Sequence, residues 1–208
     1  MKIDAATLAT AMLNCPLPRA QTWAPYIQEA ADLFELDSAT RLADFIAQVG
    51  HESNGLLWVK EIWGPEQVPA QATYERDFAK PWGPNLRRGD RNYKAFGLGN
   101  AHEGDGFRFR GRGPIQITGR GNYRQVRDDL RALLGAAAVP DFEVDPPALE
   151  APRWGALSAG NFWRTRSLNS YADRQDFVGQ TERINGGQNG MPDRIARRNR
   201  ARRALGLS

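Results

Sequence analysis

A carboxylic acid at the end of an apolar helical stripe is the group in this chain best placed for acid chemistry. Leu42, Phe45, Ile46 and Val49 recur at helical spacing, and Gly50-His51-Glu52-Ser53 follows at once. At 100° per residue Glu52 falls one turn beyond Val49 and two beyond Phe45. A carboxyl set against apolar neighbours resists ionisation, which suits a group that must deliver a proton near neutral pH. Glu52 is therefore expected to be a general acid packed against oily neighbours. The competing expectation is a helix-end glutamate that turns to solvent, although glutamate is mildly unfavourable at the negative end of a helix dipole.

Gly111-Arg112-Gly113-Pro114-Ile115-Gln116-Ile117-Thr118-Gly119-Arg120 is a second candidate for chemistry. Gly111 and Gly113 let the backbone pass close to a ligand, while Gln116 and Thr118, two apart on an extended piece, point the same way. It is not a phosphate loop, because no Gly-Lys-Ser/Thr follows the glycines. A glycine-rich turn that holds nothing is the alternative. His51-Glu52 does not open a zinc-protease motif, since His-Glu-x-x-His needs histidine where Gly55 stands. Cys15 is the one cysteine, and His51 and His102 are the two histidines. These offer neither an internal disulfide nor a transition-metal cluster. No metal or organic cofactor is expected.

The elements that must position these residues are mostly helical. Asp4 caps a helix from Ala5 to about Leu13, which Cys15-Pro16-Leu17-Pro18 breaks. A second helix is expected from Trp23 or Pro25 to Glu35, with Tyr26, Ile27, Ala30, Ala31 and Phe34 inward. Asp37 or Ser38 then caps the helix that ends at Glu52. Between Gly55 and Gly113 the texture turns to Gly, Pro, Trp and charge, which predicts a loop-rich segment with a small hairpin at most. Loops that long are unusual in a compact domain unless they build a binding or catalytic surface. Helical periodicity returns from Asn122 to Leu134, with Val126, Leu130, Leu133 and Leu134 on one side. Trp154 to Trp163 follows the Asp145-Pro146-Pro147 break, and a last helix starts near Pro192. Trp58, Trp63 and Trp82 could face sugar rings, but core packing is the commoner use of tryptophan.

A chain of 208 residues, 41% of them hydrophobic, can bury a real core in one domain divided by a cleft. No apolar run reaches the ~20 residues of a membrane span, and the N-terminus lacks the blocks of a signal peptide, so a soluble cytoplasmic product is expected. The net charge of +4 favours polyanions such as cell-wall polymers, lipopolysaccharide or nucleic acid without choosing among them. The basic excess lies at Arg194, Arg197, Arg198, Arg200, Arg202 and Arg203. On a helix these run nearly all the way round, which predicts a solvated terminal helix rather than a membrane-inserting one.

Four segments, taken in order, resemble the family 19 glycoside hydrolases, in particular the endolysin branch of phages and prophages. They are Gly50-His51-Glu52-Ser53, Glu61-Ile62-Trp63, the run from Gly111 to Arg120, and Ile184-Asn185-Gly186-Gly187. Gly104-Asp105-Gly106, Asn161-Phe162-Trp163 and Asp193-Arg194-Ile195 extend the similarity, which covers nearly everything from Trp23 to Leu205. The resemblance implies a mainly α, lysozyme-like α+β fold with two helical lobes around a substrate cleft. It also implies inverting hydrolysis of β-1,4 bonds between N-acetylated sugars. By match, Glu52 is the general acid, Glu61 the general base, and Thr118 the hydroxyl that holds the attacking water. Gln116, Asn122 and Asn185 then bind substrate, and Arg194 neighbours the acid. An inverting site needs its carboxyls ~6.5–9.5 Å apart, and the chain between Glu52 and Glu61 can span up to about 30 Å. Without the resemblance, Glu61 reads as a surface glutamate paired with Lys60. The chain departs from the plant chitinases in carrying Gln188-Asn189 where they have a glutamate, and Phe109-Arg110 where a tyrosine pair often stands.

The expectation is thus a single catalytic domain over residues 1–208 with a basic helix at about 192–205. It hydrolyses peptidoglycan glycan strands as a monomer and waits in the cytoplasm until a separate pore releases it. No specific nucleic acid partner is expected, and the terminal arginines are candidates for contact with an anionic outer membrane. The alternatives are a chitinase on N-acetylglucosamine polymers, a lytic transglycosylase, and a nonenzymatic polyanion binder built on the arginine-rich tail.

Overall fold

The computed structural model describes residues 2–207. The helices are α1 (Ala5–Ala11), α2 (Leu17–Leu33), α3 (Ala39–Glu52), α4 (Pro69–Ala72), α5 (Tyr93–Gly97), α6 (Asp105–Arg108), α7 (Arg120–Leu134), α8 (Pro152–Thr165), α9 (Leu168–Asp173), α10 (Phe177–Asn185) and α11 (Met191–Ala204). Extended structure among the described residues is confined to isolated antiparallel bridges, Lys60 with Arg112 and Arg112 with Ile117. The mainly helical expectation holds, with less β-structure than even a small hairpin region.

Two compact units are present. Unit 1 takes the described residues through Val59, Gly113–Ile115 and those from Ala151 onward; unit 2 is Lys60–Arg112 and Gln116–Glu150.

In unit 1, α3 packs against α11 and α9, α2 against α8 and α1, and α1 also against α11. Leu42, Phe45, Ile46 and Val49 are buried, and Phe45 meets Trp163 of α8 edge to face at 5.4 Å. Burial of such side chains is the main driving force for this packing. Ser38 caps α3 by accepting from Arg41 N–H at 3.1 Å, and Asp4 caps α1 through Thr7 N–H at 2.8 Å. Helix α2 starts six residues before the earlier of its two expected starts. Pro18 stands in the first turn, where no N–H is needed, and exposed Pro25 lies inside the helix without ending it. Helices α9 and α10 were not anticipated, being short.

The turn after α3 fixes the direction in which Glu52 leaves the helix. Ser53 Oγ donates to Val49 O at 2.7 Å and accepts from Leu56 N–H at 2.9 Å. Asn54, Gly55 and Leu56 all have positive φ, a conformation costly for residues other than glycine. A Cβ on Gly55 would stand 2.6 Å from Leu13 O. Glycine where a zinc motif needs histidine is therefore a packing requirement.

In unit 2, α7 buries Tyr123, Val126 and Leu130. Tyr123 packs edge to face on Phe109 at 5.3 Å, and its phenol is pushed up to about 12 by burial, against the opposing pull of Arg112. Leu133, expected inward, is 44% exposed; Tyr123 takes the inward role instead. Phe109 is fully buried and belongs to the core rather than to any substrate wall.

Candidate active site

Glu52 ends α3 with its side chain 25% exposed and its Oε1 accepting from Arg194 Nη2 at 2.5 Å. The oily enclosure expected from the apolar stripe is absent at its last position, because α11 brings a guanidinium there. Arg194 is 2% exposed. Its Nη1 donates to Gln48 Oε1 at 2.5 Å and its Nε to Asn189 O at 3.0 Å. Gln48, itself buried, donates onward to Thr181 Oγ1 at 2.9 Å. Glutamine at 188 turns away to Glu182 at 2.7 Å, so the other groups held by Arg194 are uncharged and Glu52 is the acid against it. At the neighbouring position of α11, His51 Nδ1 donates to Asp193 Oδ2 at 2.6 Å, which also accepts from Arg197 Nε, one turn on, at 2.7 Å. Burial raises the Asp193 carboxyl, but the bonds from Arg197 and His51 outweigh it and hold the group below its ordinary value. Gly190 leaves room for the imidazole of His51, which a Cβ there would overlap.

Glu61 lies in unit 2 and accepts on both oxygens from uncharged donors. Gln71 Nε2 reaches Oε1 at 2.9 Å, and Gly111 N–H reaches Oε2 at 2.9 Å. Its own amide donates to Gly111 O at 2.8 Å, so side chain and backbone lock onto one residue of the glycine-rich run. Lys60 pairs with Glu150 at 3.6 Å, not with Glu61. Gln71 is buried, donates also to Ile62 O at 2.8 Å, and accepts from Gly64 N–H at 2.7 Å. Sequence reasoning missed Gln71 and Gln48, since a lone glutamine carries no local signal.

The run from Gly111 to Arg120 is a tight turn, not an extended piece. Arg112 and Ile117 exchange N–H···O bonds at 3.0 and 2.8 Å, and Gln116 has φ +54. A Cβ on Gly111 would meet Gln116 Oε1 at 2.5 Å, so this glycine admits a neighbouring side chain rather than a ligand. Thr118 Oγ1 donates to Gln116 O at 3.0 Å, which leaves the hydroxyl oxygen as an acceptor. Exposed Asn122 donates to Thr118 O at 2.6 Å. In unit 1, Asn185 closes α10 and braces the loop after it, accepting from Gly187 N–H at 2.9 Å and donating to Asn189 O at 3.2 Å. Gly186 is the left-handed cap of α10 at φ +77. Gly186 is thus required by its backbone conformation rather than by a ligand.

Other motif residues are structural. Buried Asp105 pairs with Arg120 at 2.6 Å, and a Cβ on Gly106 would meet Glu75 at 2.7 Å. The solvated terminal helix is corrected as well. Arg194 and Arg197 are buried, and Arg198 binds fully buried Asp44 at 2.6 Å. Burial pushes the Asp44 carboxyl up despite that arginine. Each of these cations sits inward because a carboxylate is there to meet it, since an unpaired buried charge is very costly. Arg203 is left exposed. Trp58 is 61% exposed, while Trp63 packs on Phe107 at 5.7 Å.

Among the described residues no three His, Cys, Asp or Glu side chains gather as a metal site, and no helix is long and apolar enough to cross a membrane.

No protein-family profile matches the chain. Chitinase C from Streptomyces griseus superposes with a TM-score of 0.66 at 18% identity, covering 99% of this chain and 77% of that one. A bacterial family 19 chitinase superposes with a TM-score of 0.65 at 19% identity, covering 99% and 96%. The fold is thus the lysozyme-like, mainly helical fold of chitin-type glycoside hydrolases. A Haemophilus influenzae protein described as a glycosyl hydrolase family 19 domain-containing protein is 31% identical over 159 residues, 73% of this chain and 74% of that protein. The chain belongs to glycosyl hydrolase family 19, and it is an enzyme of the lysozyme and chitinase type that hydrolyses glycans.

Proposed function

We propose that this enzyme is an endolysin that cleaves the β-1,4 glycosidic bonds of bacterial peptidoglycan with inversion at the anomeric carbon. The observation that carries the reading is the difference between two carboxylates. Glu52 is gripped through one oxygen by a guanidinium, whereas Glu61 accepts from two uncharged N–H donors. Two carboxyl groups held by separate partners can take separate roles, as an inverting pair requires, and the assignment of acid to Glu52 and base to Glu61 follows the resemblance to family 19.

Glu52 gives its proton to the glycosidic oxygen as the bond to the anomeric carbon breaks. Glu61 takes a proton from the water that attacks that carbon from the opposite face, and exchange with solvent resets both groups. The Thr118 hydroxyl accepts from that water and aims it. Gln116, Asn122 and Asn185 bind sugar hydroxyls and acetamido groups, and Arg194 positions Glu52. Glu52 supplies one proton and Glu61 takes up the other, from water, and no metal or organic cofactor is assigned a part in this scheme. Peptidoglycan is favoured by the resemblance to the endolysin branch and by the net charge of +4, which suits an anionic wall polymer. Release to the wall by a separate pore, a monomeric state and contact of the remaining terminal arginines with an anionic outer membrane belong to the same proposal. The second reading, a chitinase, is favoured by the activity named for both solved structures.

Purified protein is expected to release new reducing ends from peptidoglycan sacculi, with the α-anomer appearing first by proton NMR. Cut cross-link peptides without new reducing ends would refute glycan cleavage, anhydro ends would assign a transglycosylase, and a β-anomer would refute inversion. Faster turnover of chitooligosaccharides than of sacculi would select the chitinase.

Gln71 positions the base in this scheme. Gln71→Ala is expected to lower kcat about 10-fold with KM nearly unchanged, the worth of one well-placed hydrogen bond to a charged group. Comparison of kcat, KM and the melting temperature checks this. A lower melting temperature with kcat intact would make Gln71 a structural residue only.

A further inference from the structure

Unit 2 contains a cavity of about 560 Å³ in the loop between α4 and α5, lined by Trp82, Pro81, Pro84, Asn85, Leu86 and Asp90 among others. None of the residues placed above at Glu52 or Glu61 lines it. The loop around it is built rather than slack. Fully buried Asn92 accepts from Asp77 N–H at 2.7 Å and donates to the carbonyls of Asp77 and Pro81 at 2.8 and 3.0 Å. Trp82 is braced from two directions. Phe96 meets it edge to face at 5.1 Å, and the Arg76 guanidinium lies 4.6 Å from its ring while also covering Phe78 at 4.4 Å.

A fixed indole in a concave, proline-walled site with a few polar groups at its rim has the form of a site for a sugar ring. The C–H face of a pyranose stacks on the indole, and its edge carries hydroxyl and acetamido groups that need planar partners. Exposed Asn85 offers an amide. Asp90 accepts from Arg87 N–H through Oδ2 at 2.7 Å, and a carboxylate has a second oxygen able to accept. Arg91, which also lines the cavity, is turned to Glu75 O at 3.0 Å. We propose that this cavity is an accessory saccharide site that holds a β-1,4-linked, N-acetylated sugar unit of the polymer without taking part in bond cleavage. The proposal rests on family membership in the glycan hydrolases and not on the roles given to Glu52 and Glu61.

The test uses the full chain carrying Glu52→Gln to slow hydrolysis, titrated with the tetramer of N-acetylglucosamine and followed by the indole N–H resonances. The Trp82 resonance, assigned by its loss in Trp82→Phe, is expected to shift on addition of the saccharide. Removing the indole also strips Phe96 and Arg76 of a contact, so a second variant, Asn85→Ala with Asp90→Ala, changes only exposed positions. In an otherwise native chain, both Trp82→Ala and this double variant are expected to bind insoluble chitin, sacculi or both about 10-fold more weakly. Turnover of short soluble substrates should be unchanged. Loss on chitin alone assigns a glucosamine polymer as the source, and loss on sacculi assigns the wall polymer. A stationary Trp82 resonance at saturation, or unchanged affinity for both polymers in the double variant, overturns the proposal. Continued hydrolysis by Glu52→Gln would count against the acid assignment alone.

Discussion

Glu52→Gln is expected to lower kcat/KM on the glycan substrate by ~10²–10⁴-fold, the usual worth of a general acid. This corresponds to ~3–5 kcal/mol of transition-state stabilisation. The amide matches the carboxyl in shape and can still accept from Arg194 Nη2, so the helix end need not rearrange. What disappears is the transferable proton and the negative charge facing a guanidinium that is 2% exposed. Removing one partner of a fully buried pair costs 3–5 kcal/mol. Glu52 is partly open to solvent and the amide keeps one bond, so about 1–2 kcal/mol of stability is the expected loss. Urea unfolding beside the kinetics separates the two effects. Full activity in a folded Glu52→Gln protein would remove the acid from the mechanism.

Glu61→Ala should be the second large loss, again ~10²–10⁴-fold, because no other group would take the proton from water. Alanine is a cleaner probe than glutamine here. Gln71 Nε2 and Gly111 N–H each donate to a different oxygen of Glu61, so a carboxamide would turn its own N–H toward one of them. Gln71 cannot answer by flipping, since its Oε1 is held by Gly64 N–H and its Nε2 by Ile62 O. Formate supplied in solution is expected to restore part of the rate in Glu61→Ala by occupying the vacated volume as a base. Near-native activity of Glu61→Ala with anhydro products would instead establish a one-carboxylate transglycosylase.

Much of unit 1 was legible because its signals are local. Ser38, the apolar positions at helical spacing and the turn residues after Glu52 act over a few residues, and α3 runs as read, Ala39–Glu52. Helix α2 was misread at its start because proline in a first turn and proline within a helix look alike from composition. Leu133 was misplaced for a different reason, since which flank of α7 is buried depends on what packs there, and it is Tyr123 that meets Phe109 edge to face at 5.3 Å. The long segment after Gly55 was read correctly as irregular, while its four- and five-residue helices gave no periodic signal.

The order of motifs was enough to establish a mainly helical glycan hydrolase and to nominate Glu52, Glu61 and Thr118 for its chemistry, because residue type and sequence order survive without coordinates. Environment does not. Gln48 meets Arg194 across 146 positions, Glu61 meets Gly111 across 50, and His51 meets Asp193 across 142. Those encounters turned an expected oily pocket into an ion pair, a basic tail into a packed helix and an apparent ligand loop into a turn closed on Gln116. Hydrogen bonds and charge pairs act at about 3 Å in space, so only the folded chain decides which partners stand that close.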